Sequence, residues 1–192
     1  MADIRLRIAH ADDAPAVSRL MRRVARRWIM PNQPPVAVIA LEESLGARII
    51  RQRMAAGLRF HLAFVDGVLA GAAAVRNNSH IVHLFVGTRY QGRGIARKLW
   101  EHLRKDCQRR AGTQVFTLNA AAGAVPVYRH FGFVFDRDPS RPRGKVVSVP
   151  MIYRDDGASQ RKGRFDSASR TGTRAAGESV STASRPRQAA SR

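Results

Sequence analysis

The sequence predicts an α/β (α+β) chain: a mixed, mostly antiparallel central sheet flanked by helices, in the order β-α-α-β-β-β-α-β-α-β-β. Three observations predict it. A β-branched and aromatic run, His80 to Val86, passes through a basic glycine turn into a helical apolar period at Ile95, Ala96, Leu99, Trp100, Leu103 and Cys107. Asp66-Gly67 and Asn77-Asn78-Ser79 are turn sequences that fold the preceding runs into an antiparallel meander. Downstream, short apolar runs enclose one more helical segment that Gly132 closes.

The elements follow in order. Ile4 to Ala9 alternates apolar and polar residues, as a strand does. Asp12, Asp13 and Pro15 open a helix with Val17, Leu20, Met21, Val24 and Trp28 on its inner face. Arg19, Arg22, Arg23, Arg26 and Arg27 cover its other side, which suits a solvated amphipathic helix or a contact with nucleic acid. Pro31, Pro34 and Pro35 stiffen the loop beyond it. A second helix is expected over Leu41 to Ala56, with Leu45, Ile49, Ile50 and Met54 inside and Glu42 and Glu43 complementing the dipole from its first turn. Phe60–Val65, Val68–Arg76 and His80–Val86 form the meander. The long helix after the glycine turn ends at Ala111-Gly112, and Thr113 to Leu118 is a strand. The helix after Asn119 becomes regular near Val125, because Pro126 is tolerated only at a helix start. Phe133–Phe135 and Val146–Tyr153 are strands on either side of a basic, proline-containing loop.

Composition bounds the domain plan. The 192 residues carry 34 Lys and Arg against 14 Asp and Glu, a net charge of +20. From Asp155 onward Ser, Thr, Gly, Ala and Arg dominate, which leaves too little apolar surface to offset the entropy of ordering. The expectation is a folded domain over residues 1–154 and a disordered basic tail over 155–192. That tail holds eight Lys/Arg and four Asp/Glu, so the domain keeps +16. Such a charge attracts anions; scattered over the sequence as it is, it fits a solvated surface as well as a nucleic-acid interface. One cysteine, Cys107, excludes an intrachain disulfide and reads as a core residue. The first residues lack a secretory h-region and no run approaches the length of a membrane span, so a cytoplasmic protein is expected.

The glycine turn carries the chemistry. Gly92 and Gly94 remove side chains where a helix begins, and the unpaired N–H groups of a first turn attract anions. Arg89, Arg93, Arg97 and Lys98 add charge around it, which makes a site for phosphate or pyrophosphate. It is no dinucleotide fingerprint, because Arg97 stands where the third glycine belongs, and no Walker A loop, because Gly-Lys-Ser/Thr is absent.

Arg89-Tyr90-Gln91-Gly92-Arg93-Gly94-Ile95-Ala96 resembles the Arg/Gln-x-x-Gly-x-Gly/Ala signature of the GNAT superfamily of N-acetyltransferases, and the element order matches. A second segment, Asn119, Ala124 to Tyr128 and Gly132-Phe133, is similar to the family's second pattern, and the Asn78–Ile81 and Val149–Met151 stretches resemble one bacterial branch. The resemblance covers residues 3–153. It implies acetyl-CoA as acyl donor, no metal, and a V-shaped gap between the fourth and fifth strands. The pyrophosphate would meet the backbone N–H groups of Gln91, Gly92, Arg93, Gly94, Ile95 and Ala96, with Arg89, Arg97 and Asn119 beside the ligand; Asn119 equally suits a helix cap. Phe85 and Val86 would hold the pantetheine arm and offer an N–H to the thioester carbonyl. Tyr128 matches the family's general acid for the leaving thiolate, and is equally readable as a core aromatic.

The base is less defined. Arg76 to Lys98 contains no acid, which leaves His83 as the best candidate, with His80, Glu42 and Glu43 as others, or a deprotonated amine that needs no enzyme base. Ala120–Gly123 replaces the Ser and Pro-aromatic pair of many relatives in that branch. The implied reaction is direct transfer of acetyl to a primary amine in a ternary complex. The positive domain favours a small neutral or anionic acceptor over a polycation, and a monomer or homodimer is expected. Two alternatives stand: a non-catalytic basic module binding RNA, DNA or the ribosome, and an acetyltransferase acting on aminoacyl-tRNA.

Overall fold

A computed structural model describes residues 3–137 and 147–155, which belong to one compact unit spanning 1–158. The expected tail beyond Asp155, most of the loop before Val147 and the expected start of the last strand at Val146 lie outside the described residues. The strands are β1 (Ile4–Ile8), β2 (Arg59–Val65), β3 (Val68–Arg76), β4 (His80–Val86), β5 (Val115–Ala120), β6 (Val134–Phe135) and β7 (Val149–Arg154). The helices are α1 (Ala14–Trp28), α2 (Pro35–Ser44), α3 (Ala47–Ala55), α4 (Ile95–Ala111) and α5 (Val125–His130). All seven strands join one sheet in the order β1-β2-β3-β4-β5-β7-β6, antiparallel except at β4–β5.

The turns form as their residues require. Asp66 and Gly67 both adopt positive φ, as do Asn77 and Asn78, so each pair closes a tight hairpin whose twist matches the strands. The expected single helix over Leu41 to Ala56 is two. Pro35, pre-set for a first helical position, starts α2 six residues early, and extended Gly46 caps α3 after a break at Leu45. Glu42 therefore sits in the last turn of α2 rather than the first turn of a helix, and Arg22 and Arg26 of α1 pair with it at 2.7 and 2.5 Å.

Two cores sandwich the sheet. On one face α1, α3 and the break between α2 and α3 bury Val17, Met21, Ile50 and Leu45 against Phe60, Leu62 and Phe85; on the other α4 and α5 bury Leu99, Trp100, Leu103 and Tyr128 against Phe116 and Phe133. The run Ala70 to Ala74 in β3 is small because both faces are covered closely. A Cβ on Gly71 would stand 2.9 Å from Leu99 Cδ1 and 3.0 Å from the Phe85 carbonyl oxygen.

One charged cluster is buried with the second core. Asp106 of α4 is 2 % exposed and pairs with Arg59 at 2.8 Å, Arg110 at 3.0 Å and Arg109 at 3.2 Å. Burial pushes its carboxyl up, but the guanidiniums outweigh it and hold the group below the usual carboxylate range. Without the carboxylate, Arg59, 20% exposed, loses its ion-pair partner, while Arg109 and Arg110 remain in contact with solvent. Asp106→Asn is expected to lower stability by about 2 kcal/mol, read from urea unfolding at neutral pH.

Candidate active site

The sheet opens at one place. β4 and β5 pair in parallel only at His80↔Thr117 and Ile81↔Leu118. Beyond Ile81 the strands part, β5 staying with β7 along its whole length and β4 with β3. The edge of β4 that faces the gap has no strand partner from Val82 to Val86, and backbone groups there must be satisfied by something else. One is: the Gln91 side-chain N–H donates to the Val86 carbonyl at 3.0 Å.

The glycine turn closes the wide end of this wedge. Gly92 (φ 76°) and Gly94 (φ 74°) both take left-handed backbone, which side-chain-bearing residues adopt at a cost, and the space where their Cβ atoms would stand is open. Gly94 is the N-cap of α4, whose first helical bond runs from the Lys98 amide to the Gly94 carbonyl at 3.0 Å. The amides of Ile95, Ala96 and Arg97 are therefore unpaired within the helix, at the positive end of a 17-residue helix. An anion lying over Gly92 to Arg97 meets several donors and no side chain at the two glycines.

Wedge and turn open onto one cleft of about 700 Å³. Phe85, Val86, Gln91, Gly92, Gly94, Ile95, Ala96, Arg97 and Tyr128 of the expected set line it. Arg97 is pinned across the gap between α4 and α5, donating to the His130 carbonyl at 3.5 Å and lying 5.6 Å over the Phe131 ring. Three of the residues expected to contact the ligand do not line the cleft, and neither does His83, the expected base. Arg93 is exposed and sits 6.0 Å over the Tyr90 ring; Arg89 faces a neighbouring groove; and Asn119, expected after the fifth strand, lies within β5 opposite Pro150 and points to solvent. Asn119 therefore caps no helix, since Ala121 and Ala124 precede the helical turns there.

Tyr128 is 8 % exposed, packed edge-on against Phe133 and Phe131, with its other side to the cleft. Burial raises its phenol above the usual value, so the hydroxyl stays protonated throughout the neutral range. Cys107 is fully buried in the second core and its thiol is pushed up to about 11, which leaves no thiolate at neutral pH.

His83 is placed away from the cleft. A β-bulge in β4, where Ala74 and Val75 of β3 face His83 and Ile81, leaves Val82 as the extra residue and shifts the strand's alternation. His83 then joins the α1–α3 face, its ring 6.1 Å from Phe60 and 5.9 Å from Phe85, with Nε2 sealed from solvent. Burial lowers it to about 3, so it is neutral at pH 7 but holds a proton poorly. His80 is held at the closed end of the wedge by Thr117 Oγ1, 2.9 Å from its Nδ1. Glu42 is occupied by its two arginines.

The α1 wall lies outside the set of residues expected from the sequence. Val24, Trp28 and Ile29 line the cleft opposite α5, and Trp28, expected on the inner face of its helix, is 50 % exposed there. The signal was available: Trp28 ends an apolar stripe immediately before a proline loop, where no later turn can cover it. Among the described residues that line the cleft there is no Asp or Glu.

A family model described as an acetyltransferase (GNAT) domain matches residues 31–154. The fold is similar to that of a GCN5-related N-acetyltransferase from Rhodopseudomonas palustris, at 19% identity and TM-score 0.67 over 80% of this chain and 97% of that one. It is also similar to PaiA N-acetyltransferase from Thermoplasma acidophilum in complex with coenzyme A (15% identity, TM-score 0.65, 79% and 99% covered). The ribosomal-protein-S18-alanine N-acetyltransferase of Escherichia coli shares the fold too, at 18% identity and TM-score 0.56, with 79% and 94% covered. No curated protein sequence matches the chain.

The buried histidines give a pH test. His61, fully buried beside Asp106, is lowered to about 4 by its burial, and His83 to about 3. Both pKa values fall below the unfolded value of about 6.5, so their contribution is intact above that pH and is lost as pH falls toward 4 and then 3. His83→Phe is expected to remove about 2 kcal/mol of the stability drop between about pH 7 and 4.5, measured by urea unfolding at both values.

Proposed function

The chain belongs to the GNAT family of acyl-CoA-dependent acetyltransferases, and we propose that it transfers the acetyl group of acetyl-CoA to a small, uncharged primary amine by direct attack in a ternary complex. The observation that carries this reading is the unpaired edge of β4 running into a glycine turn whose amides are free.

The residues fit the donor. Backbone N–H groups from Gly92 to Arg97 take the pyrophosphate, and Arg97, fixed by Phe131 and the His130 carbonyl, adds charge at the mouth. The open edge of β4 at Phe85 and Val86 offers backbone donors and acceptors to the amide-bearing pantetheine arm. A donor N–H on that edge stabilises the oxyanion that forms when the amine nitrogen attacks the thioester carbon. The C–S bond then breaks and the sulfur leaves as thiolate. Tyr128, protonated and partly facing the cleft, gives it a proton, and the proton that the new amide nitrogen releases passes through solvent in the cleft to reprotonate the Tyr128 phenolate, which burial disfavours as an anion.

The acceptor side supports an uncharged amine. Trp28, Ile29 and Val24 form an apolar wall, the described lining holds no carboxylate, and Arg97 stands at the mouth. An ammonium ion entering this cleft loses hydration and gains no counter-charge. His83 and Glu42 are committed to packing and to ion pairs, so the amine arrives as the free base. The side-chain amide of Gln33 exchanges two hydrogen bonds with the backbone of Val147, at 3.1 and 2.9 Å, and so ties the loop after α1 to the approach to β7. We place the protein in the cytoplasm; among the described residues no helix is long and apolar enough to cross a membrane.

Two outcomes test this. In a thiol-release screen of acetyl-CoA against amine classes, Tyr128→Phe is expected to lose at least about tenfold in kcat while binding CoA as the parent does. Equal turnover would remove Tyr128 from the chemistry. Across a series of amines of graded basicity, kcat/KM is expected to rise with pH along the pKa of each amine. A single limb shared by every amine would instead report a titrating enzyme base.

A further inference from the structure

A second groove of about 390 Å³ adjoins the cleft. Its walls are the first turns of α1, the Val68-Leu69 end of the β2–β3 hairpin, and the segment Gly87 to Tyr90 between β4 and the glycine turn. Val24 and Tyr90 line both cavities, so the groove begins where the cleft ends. Arg19 and Arg23, one helical turn apart on α1, face Arg89 across it.

These arginines differ from their neighbours. Arg22 and Arg26 on the same helix both pair with Glu42, whereas Arg19, Arg23 and Arg89 have no carboxylate partner among the described residues. The groove's lining holds no acidic residue. Arg89 is held in place by the Tyr90 ring, 4.7 Å below its guanidinium, and Tyr90 in turn separates the groove from the cleft. Thr88 lines the groove beside Arg89 and offers a hydroxyl. Leu20, Val24 and Leu69 give the groove an apolar floor that strengthens a charge-assisted hydrogen bond.

We propose that the Arg19–Arg23–Arg89 groove is a phosphate-monoester site, separate from the glycine turn. Two sources carry that chemistry. One is the 3′-phosphate of CoA, reached from a pyrophosphate held only a few residues further along the chain; this source rests on the acyl-CoA reading above. The other is a free phosphate anion bound beside the cleft.

The experiment measures binding of CoA, 3′-dephospho-CoA and inorganic phosphate to the full chain by calorimetry, for the parent, R19A/R23A and R19K/R23K. If the 3′-phosphate is the ligand, the parent binds CoA about tenfold more tightly than 3′-dephospho-CoA, R19A/R23A binds the two within about twofold, and R19K/R23K recovers part of the preference. If a free anion is the ligand, the parent does not distinguish the two, and inorganic phosphate binding weakens about tenfold in R19A/R23A. The proposal is overturned if neither the CoA preference nor phosphate binding differs between parent and R19A/R23A. Arg19 and Arg23 are exposed, and a matched melting temperature excludes a folding defect. Failure of the parent to bind either form of CoA would instead sink the transferase reading, and the phosphate titration would still decide the groove.

Discussion

The functional half of the molecule depends on two parallel strands that pair at His80 and Ile81 and then separate. A buried strand edge is costly to leave unpaired, so a sheet that opens in its middle needs a reason and a filler. Each strand stays held on its far edge, β5 by β7 along all six of its residues and β4 by β3. The open edge of β4 is covered by the chain only in part, with the Gln91 amide on the Val86 carbonyl. The remainder is a row of backbone groups beside a 700 Å³ cleft, next to a helix start that also lacks partners. One ligand with amides along its arm and a pyrophosphate at its end would satisfy both deficits, which is why fold and activity belong together here.

Separation is possible because the rest of the sheet is held tightly. The alanines and Gly71 of β3 let α1 and α4 press on opposite faces of one strand, with no room for a Cβ at Gly71. Packing at that density transmits position well. The bulge at Val82 then sets which β4 side chains meet which core: Leu84 and Val86 turn to the α4–α5 side, His83 and Phe85 to the α1–α3 side. A one-residue insertion thus decides that an imidazole on the central strand packs between two phenylalanines instead of facing a substrate.

Charge is distributed unevenly for a chain at +20. Asp106 gathers Arg59, Arg109 and Arg110; Glu42 gathers Arg22 and Arg26; Asp155 holds Arg104 at 3.1 Å. Each of these few acids anchors a helix to another element. Arg19, Arg23 and Arg89, without a carboxylate partner among the described residues, line one groove beside the glycine turn.

What the sequence determined by itself is local. Positive φ at Asp66, Gly67, Asn77 and Asn78, left-handed glycines at 92, 94, 112 and 132, and Pro126 in the first turn of α5 are demands of single residues or pairs, so the meander, the anion turn and the helix stops were readable. Gly46 was harder, because it breaks a helix that periodicity alone would continue. The tertiary structure decided the phase of β4 after Val82, the exposure of Trp28 to the cleft, the place of Asn119 inside β5 and the engagement of Glu42 by α1. Each depends on which distant segment lies alongside, and strand register and helix packing are fixed by the summed burial of both partners, which no single window of residues contains.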